Sequence, residues 1–169
     1  MVIPYLGFLG LVALERMFEL ALSRKNAAWA FARGGVEAGG EHFFAMKLLH
    51  TSFLAACALE VVLLDRPFLP WLGLPMLGLA LGAQSLRYWA VTSLGRRWNV
   101  RVITIPGMPL ETSGPYRFLR HPNYLAVALE GIAIPLIHTA YLTAIGFTLL
   151  NGLMLRTRIR CEEHALGYR

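Results

Sequence analysis

Apolar residues gather in long runs separated by short polar stretches. Run one covers residues 2–22 and is interrupted by Glu15, Arg16 and Glu19. Run two covers 43–64, with Lys47, His50 and Glu60 inside it, and run three covers 68–94, with Pro70, Pro75 and Arg87. Each is long enough for a helix across a hydrocarbon core, which takes about 20 residues. The stretch 124–155 overshoots one crossing. Pro135 falls inside it and is followed by His138 and Thr139, so we read two shorter spans, 123–137 and 140–157, joined by a tight turn. A helical hairpin keeps its backbone groups paired in lipid, where an open loop cannot. The expected fold is all-α: one polytopic membrane helix bundle of about five helices, a single domain over 1–169.

Charge tests that count. Five spans place the loop 23–42, the loop 95–123 and the C-terminal tail on one side, with three, five and four Lys/Arg, and leave Arg66 on the other. The positive-inside rule makes the first group cytoplasmic and the N-terminus external, as expected in a bacterial cytoplasmic membrane. A single span over 124–157 would put the Arg-rich tail and the Arg-rich loop on opposite sides. The loop 95–123 carries Gly95, Pro106, Gly107, Pro109, Gly114, Pro115 and Pro122 and cannot be one helix. Its β-branched stretch Val100 to Ile105 fits a short extended piece.

Composition agrees. The chain is 56% hydrophobic and 15% charged, against about 25% charged in soluble domains. The net charge of +6 falls between apolar runs, which fits membrane orientation and contact with lipids rather than nucleic acid. Cys57 and Cys161 give no disulfide framework and no CxxC pair. No basic start precedes the first apolar run, so no cleavable signal is expected.

Two cytoplasmic segments hold most of the reactive groups. The first is Gly114-Pro-Tyr-Arg-Phe-Leu-Arg-His-Pro-Asn-Tyr124. His121 precedes proline and avoids the α region, and Pro122 suits a first helical turn. Arg120 and His121 therefore stand at a helix start, where an anionic group is favoured; a basic loop touching lipid headgroups is the plainer alternative. The second is Arg156-Thr-Arg-Ile-Arg-Cys-Glu-Glu-His-Ala-Leu166. It reads either as a solvated helix with weak Arg158–Glu162 and Arg160–Glu163 pairs, or as a ligand site in which Glu162 and Glu163 meet cationic or hydroxyl groups. The ionisable residues inside the runs are costly in lipid and are expected to face the bundle interior. His42, His50, His121, His138 and His164 lack metal-ligand spacing, so no metal is expected. No Walker A or GxGxxG motif is present.

Arg120-His-Pro-Asn-Tyr124, followed by Arg160-Cys-Glu-Glu163 and Leu166, resembles the isoprenylcysteine carboxyl methyltransferase family of integral membrane enzymes. The resemblance extends to Arg87-Tyr-Trp-Ala90, Leu94-Gly95 and Arg97-Trp-Asn-Val-Arg-Val102. Glu15-Arg-Met-Phe-Glu-Leu20, Ser23-Arg-Lys-Asn26, Glu41-His42 and Leu49-His50 are similar to small bacterial members. The resemblance implies S-adenosylmethionine as cofactor, bound by Arg120, His121, Pro122, Tyr124, Glu162 and Glu163. Arg160 is then expected to face substrate, with Arg160 or Arg97 steadying an oxyanion and Glu163, Glu162 or His121 as possible bases.

Small bacterial members of this type resemble enzymes paired with type III polyketide synthases. The expected acceptor is thus a lipophilic hydroxyl of alkylpyrone or alkylresorcinol type. Carboxyl methylation of a prenylcysteine-like substrate, an NADPH-dependent membrane reductase and a non-catalytic membrane subunit stand as alternatives. Five short spans without repeats disfavour a transporter.

Overall fold

A computed structural model describes residues 1–167. Five long helices carry the fold: α1 (Val2–Phe31), α2 (Glu41–Leu63), α3 (Pro70–Leu94), α4 (Pro122–Leu136) and α5 (Tyr141–Ala165). Each expected span holds one of them. Two short strands, β1 (Val36–Ala38) and β2 (Val102–Thr104), pair antiparallel with Val36 opposite Thr104 and Ala38 opposite Val102. The extended piece expected at 100–105 is β2. Its partner β1 was not foreseen, and the all-α reading gains this one small sheet.

The 23–42 segment is not the simple loop the hydropathy implied. Hydropathy falls after residue 22, but α1 continues to Phe31. Its last turns are held by polar contacts: Ser23 and Asn26 are buried against the 98–100 segment. Arg169, the fourth cation counted in the tail, lies outside the described residues.

The α4–α5 turn falls where Pro135, His138 and Thr139 placed it. Thr139 has a positive φ of 55°, and its hydroxyl donates to the Pro67 carbonyl at 2.7 Å. The start of α5 is capped from another helix. Glu60 on α2 accepts the backbone N–H groups of Leu142 (3.1 Å) and Thr143 (2.7 Å) and the Thr143 hydroxyl (2.7 Å). A carboxylate there satisfies orphan donors and sits at the positive end of the helix dipole. Arg66 neutralises it at 2.8 Å. Nearby, Tyr5, Phe53, Cys57, Val61, Ile134 and Phe147 form an apolar core across α1, α2, α4 and α5.

Exposure runs opposite to that of a soluble domain. Glu19, Glu60, Arg87, Glu130 and Arg158 are buried, while Leu11, Phe18, Phe44, Trp71, Ile145 and Leu149 are largely exposed. Charge inside and apolar bulk outside is the arrangement a bilayer requires. By length and composition alone, one described helix, α2, is apolar enough to cross a membrane. Average hydropathy counts every face of a helix, whereas lipid touches only the outer one. The inward charges of α1 and α3 therefore lower their mean hydropathy without facing lipid.

Candidate active site

The α3–α4 connection is shaped by prolines and by α1. His121 has φ −130° and ψ 62°, outside the α region, and Pro122 opens α4. Gly114 sits at φ 55°, and a Cβ added there would run into the Ser93 side chain and crowd the Trp89 indole nitrogen, so the position is closed to a larger residue. Ser23 donates to the Asn99 side-chain oxygen at 2.6 Å and accepts from the Val100 N–H at 3.1 Å. Asn26 donates to the Trp98 carbonyl at 2.8 Å. The far side of the loop is held by Arg97, which donates to the Pro109 carbonyl at 2.8 Å and pairs with Glu111. Hydrogen bonds from Ser113, with help from Arg97, keep the Glu111 carboxyl below the usual range.

Two cavities meet beneath this loop. The smaller, about 170 Å³, lies against β2 and the loop, among Arg97, Arg101, Thr104 and Glu111. The larger, about 510 Å³, runs between the helices past Met17, Leu54, Val127, Ile134 and Phe147. They share a wall that includes Asn99, Tyr116, Arg120, Tyr124, Arg158 and Glu162. Together they lie in the size range of ligand sites, about 300–1,000 Å³. Burial, then the charges of Glu162 and Glu111, push the Tyr116 phenol well above its usual range. It remains a hydrogen-bond donor at neutral pH.

The residues singled out in the sequence divide into four groups. Arg120, Tyr124 and Glu162 stand in the shared wall, and His121 and Pro122 line the larger cavity. Glu163 reaches the site through His121, whose Nε2 lies 3.3 Å from its carboxylate; Glu162 is 3.9 Å from Nδ1 of the same ring. These contacts tie the end of α5 to the start of α4. Arg97 lines only the smaller cavity and is engaged by Glu111, a loop-holding position.

Arg160 is not brought to the site: it is exposed and lines neither cavity. Two residues are about 200° of helix, so Arg158 points inward where Arg160 points out. Arg158 is 6% exposed and donates to the Val100 carbonyl at 2.6 Å, with its guanidinium 6.0 Å from the Tyr124 ring centroid. Phe147, Asn151, Arg158 and Glu162, spaced four, seven and four residues apart, share that helix face. The spacing marks a common face in the sequence without saying that this face meets the site.

Deeper in the larger cavity lies a cluster of charges. Arg87 makes a two-pronged pair with Glu130, one arm at 3.1 Å, and reaches Asn123 at 3.4 Å. Arg16 binds Glu19 at 2.7 Å, Glu15 at 3.0 Å and Gln84 at 2.8 Å. Glu130 went unremarked in the sequence, although it is the one charged residue of α4. Four buried polar atoms of cavity-lining residues have no hydrogen-bond partner among the described residues: Glu19 Oε1, Trp98 Nε1, Asn151 Oδ1 and Arg158 Nε. Unsatisfied groups in an apolar surrounding are costly and mark a place where a polar ligand would be held.

This architecture can be set beside known proteins. Residues 76–168 match the isoprenylcysteine carboxyl methyltransferase (ICMT) family, a segment that holds the loop, α4, α5 and the shared wall. Uncharacterized protein YpbQ of Bacillus subtilis is 36% identical over 159 residues, 94% of each chain. An uncharacterized protein of Haemophilus influenzae is 25% identical over 156 residues, covering 90% of this chain and 89% of its own. With its shared wall built from the matched segment, the chain belongs to the isoprenylcysteine carboxyl methyltransferase family of membrane methyltransferases.

Proposed function

We propose that the protein transfers a methyl group from S-adenosylmethionine to an enolic or phenolic hydroxyl of a long-chain lipid, of alkylpyrone or alkylresorcinol type. The observation that carries this reading is the junction of a charged cavity and a largely apolar one at a single wall. A soluble cofactor and a lipid tail need different surroundings, and their reacting ends must still meet.

The wall fits the cofactor chemically. Arg120 suits its carboxylate, Glu162 its cationic or ribose groups, and Tyr116 and Tyr124 offer aromatic faces. When bound, S-adenosylmethionine would supply a sulfonium methyl: the C–S bond would break as the acceptor oxygen bonds to the methyl, and the hydroxyl proton would pass to solvent. The protein's part is alignment and charge. Arg158, with an unpartnered Nε–H in the shared wall, steadies the oxygen as it becomes anionic. An enol is acidic enough for this to suffice without a strong base, whereas a phenol is protonated at neutral pH and would give up its proton as the bond forms. His121 is held by Glu162 and Glu163 and positions the start of α4. The apolar face of the larger cavity takes the tail.

The setting we infer is the bacterial cytoplasmic membrane, with the N-terminus outside and the shared wall toward the cytoplasm. A type III polyketide synthase is the class of enzyme that would supply such a substrate.

Calorimetric titration of detergent-purified protein tests the reading. S-adenosylhomocysteine should bind, NADPH should not, and Glu162→Gln should weaken binding at least about tenfold. Turnover should follow with an alkylresorcinol and not with a farnesylcysteine analogue. Binding of NADPH alone would move the protein to the reductases. Turnover of the farnesylcysteine analogue alone would move it to carboxyl methylation.

A further inference from the structure

We infer that Glu19 selects the substrate: the lipid head must carry, besides the hydroxyl that is methylated, a second group that donates a hydrogen bond to Glu19 Oε1. The inference rests on the methyl-transfer reading and adds a specificity residue to it.

The two oxygens of Glu19 are used unequally. Oε2 receives Arg16 at 2.7 Å and faces Arg87 at 3.8 Å. Oε1 is buried without a hydrogen-bond partner among the described residues, and Glu19, 7% exposed, lines the larger cavity. Leaving a carboxylate oxygen unpaired in such a place is costly, and a donor from the ligand would recover that cost. The donor should be neutral, because a cation arriving there would meet both guanidiniums already on Glu19.

The four unpartnered atoms are also ordered by depth. The two donors, Arg158 Nε and Trp98 Nε1, belong to the shared wall and the loop beside it. The two acceptors lie further in. Asn151 is seven residues before Arg158 on α5, roughly 10 Å along the axis, and Glu19 is one turn deeper than Ser23, which binds the loop. A ring with two hydroxyls fits this order, which selects the resorcinol of the two proposed head types, since the other oxygens of a hydroxypyrone only accept. Its reacting oxygen meets the donors near the methyl group, and its second hydroxyl points inward to Glu19. The monoether product would lack that donor, so the reaction would stop after one methyl.

Initial rates with a long-chain alkylresorcinol, its monomethyl ether and the matching meta-alkylphenol test this in wild type and Glu19→Gln. Wild type should prefer the resorcinol by about tenfold or more in kcat/KM, mostly through KM, since a hydrogen bond to a charged group is worth about 1.5–3 kcal/mol. Glu19→Gln should reduce the preference to about threefold or less while binding S-adenosylhomocysteine normally. Equal rates for the three heads in wild type, which need no variant, would overturn the inference and leave methyl transfer standing. An undiminished preference in Glu19→Gln would also overturn it. Methylation of none of them, in protein that binds S-adenosylhomocysteine, would overturn both this inference and the lipid-hydroxyl reading.

Discussion

Arg158 and Arg160 are alike in chemistry and two positions apart, yet only Arg158 is buried in the shared wall. Arg158→Ala should lower kcat/KM by about 100-fold or more, whereas Arg160→Ala should stay within about threefold. Initial rates with both variants decide it, and equal losses would remove Arg158 from its assigned role. The same contrast separates Glu162, in the wall, from Glu163, which touches His121. Arg87 and Glu130 differ from these because they hold each other in the interior. Arg87→Leu leaves a buried carboxylate with less compensation and should cost about 3–5 kcal/mol. The double change Arg87→Leu with Glu130→Leu should recover much of that. Thermal unfolding in detergent reads both, and a double variant no better than the single would show that the pair is not the main source of the loss. The residue types at these positions were plain in the sequence. Which of them face one another was not, because facing is set by the azimuth of each helix after packing.

At the scale of elements, α4 and α5 meet closely at Gly131. A Cβ there would come 2.6 Å from the Phe147 ring, and both residues line the larger cavity. Gly131→Ala should therefore destabilise by about 1–3 kcal/mol through overpacking. It should also weaken lipid turnover while S-adenosylhomocysteine binding holds; loss of cofactor-analogue binding instead would mean that the two cavities are not separable. The site loop has its own dependence on pH. The Glu111 carboxyl is held below its ordinary 4.5 by Ser113 and Arg97. Its contribution to loop order is full above that value and is lost as pH falls through the lowered one. Pepsin cleavage within the 105–113 segment should accelerate over that acid range in wild type and should already be fast, and nearly flat with pH, in Glu111→Gln. The helices themselves followed from apolar run lengths and proline positions, which act locally on the backbone. The last turns of α1 and strand β1 escaped, because Ser23, Asn26 and Val36 find their partners about 70 residues away in the chain.

For the molecule as a whole, buried charge and exposed apolar bulk define inside and outside. The proposed orientation places Asp65, between α2 and α3, outside, and Thr112, in the site loop, in the cytoplasm. In a background without Cys57 and Cys161, Asp65→Cys should react with a membrane-impermeant thiol reagent on intact cells. Thr112→Cys should react only after permeabilisation, and the reverse pattern would invert the topology.

Five helices, the α4–α5 break and the concentration of reactive groups in the loop and tail were all readable before any coordinates, as was the family resemblance. Each depends on local composition, on prolines that restrict their neighbours, and on the preference of apolar runs for lipid. The structure alone decided that Arg158 rather than Arg160 faces the site, that Glu130 secures Arg87, and that Glu19 keeps one oxygen unpaired. Those outcomes depend on how helix faces distant in the chain come into register, and no periodicity within one helix encodes the face of its neighbour.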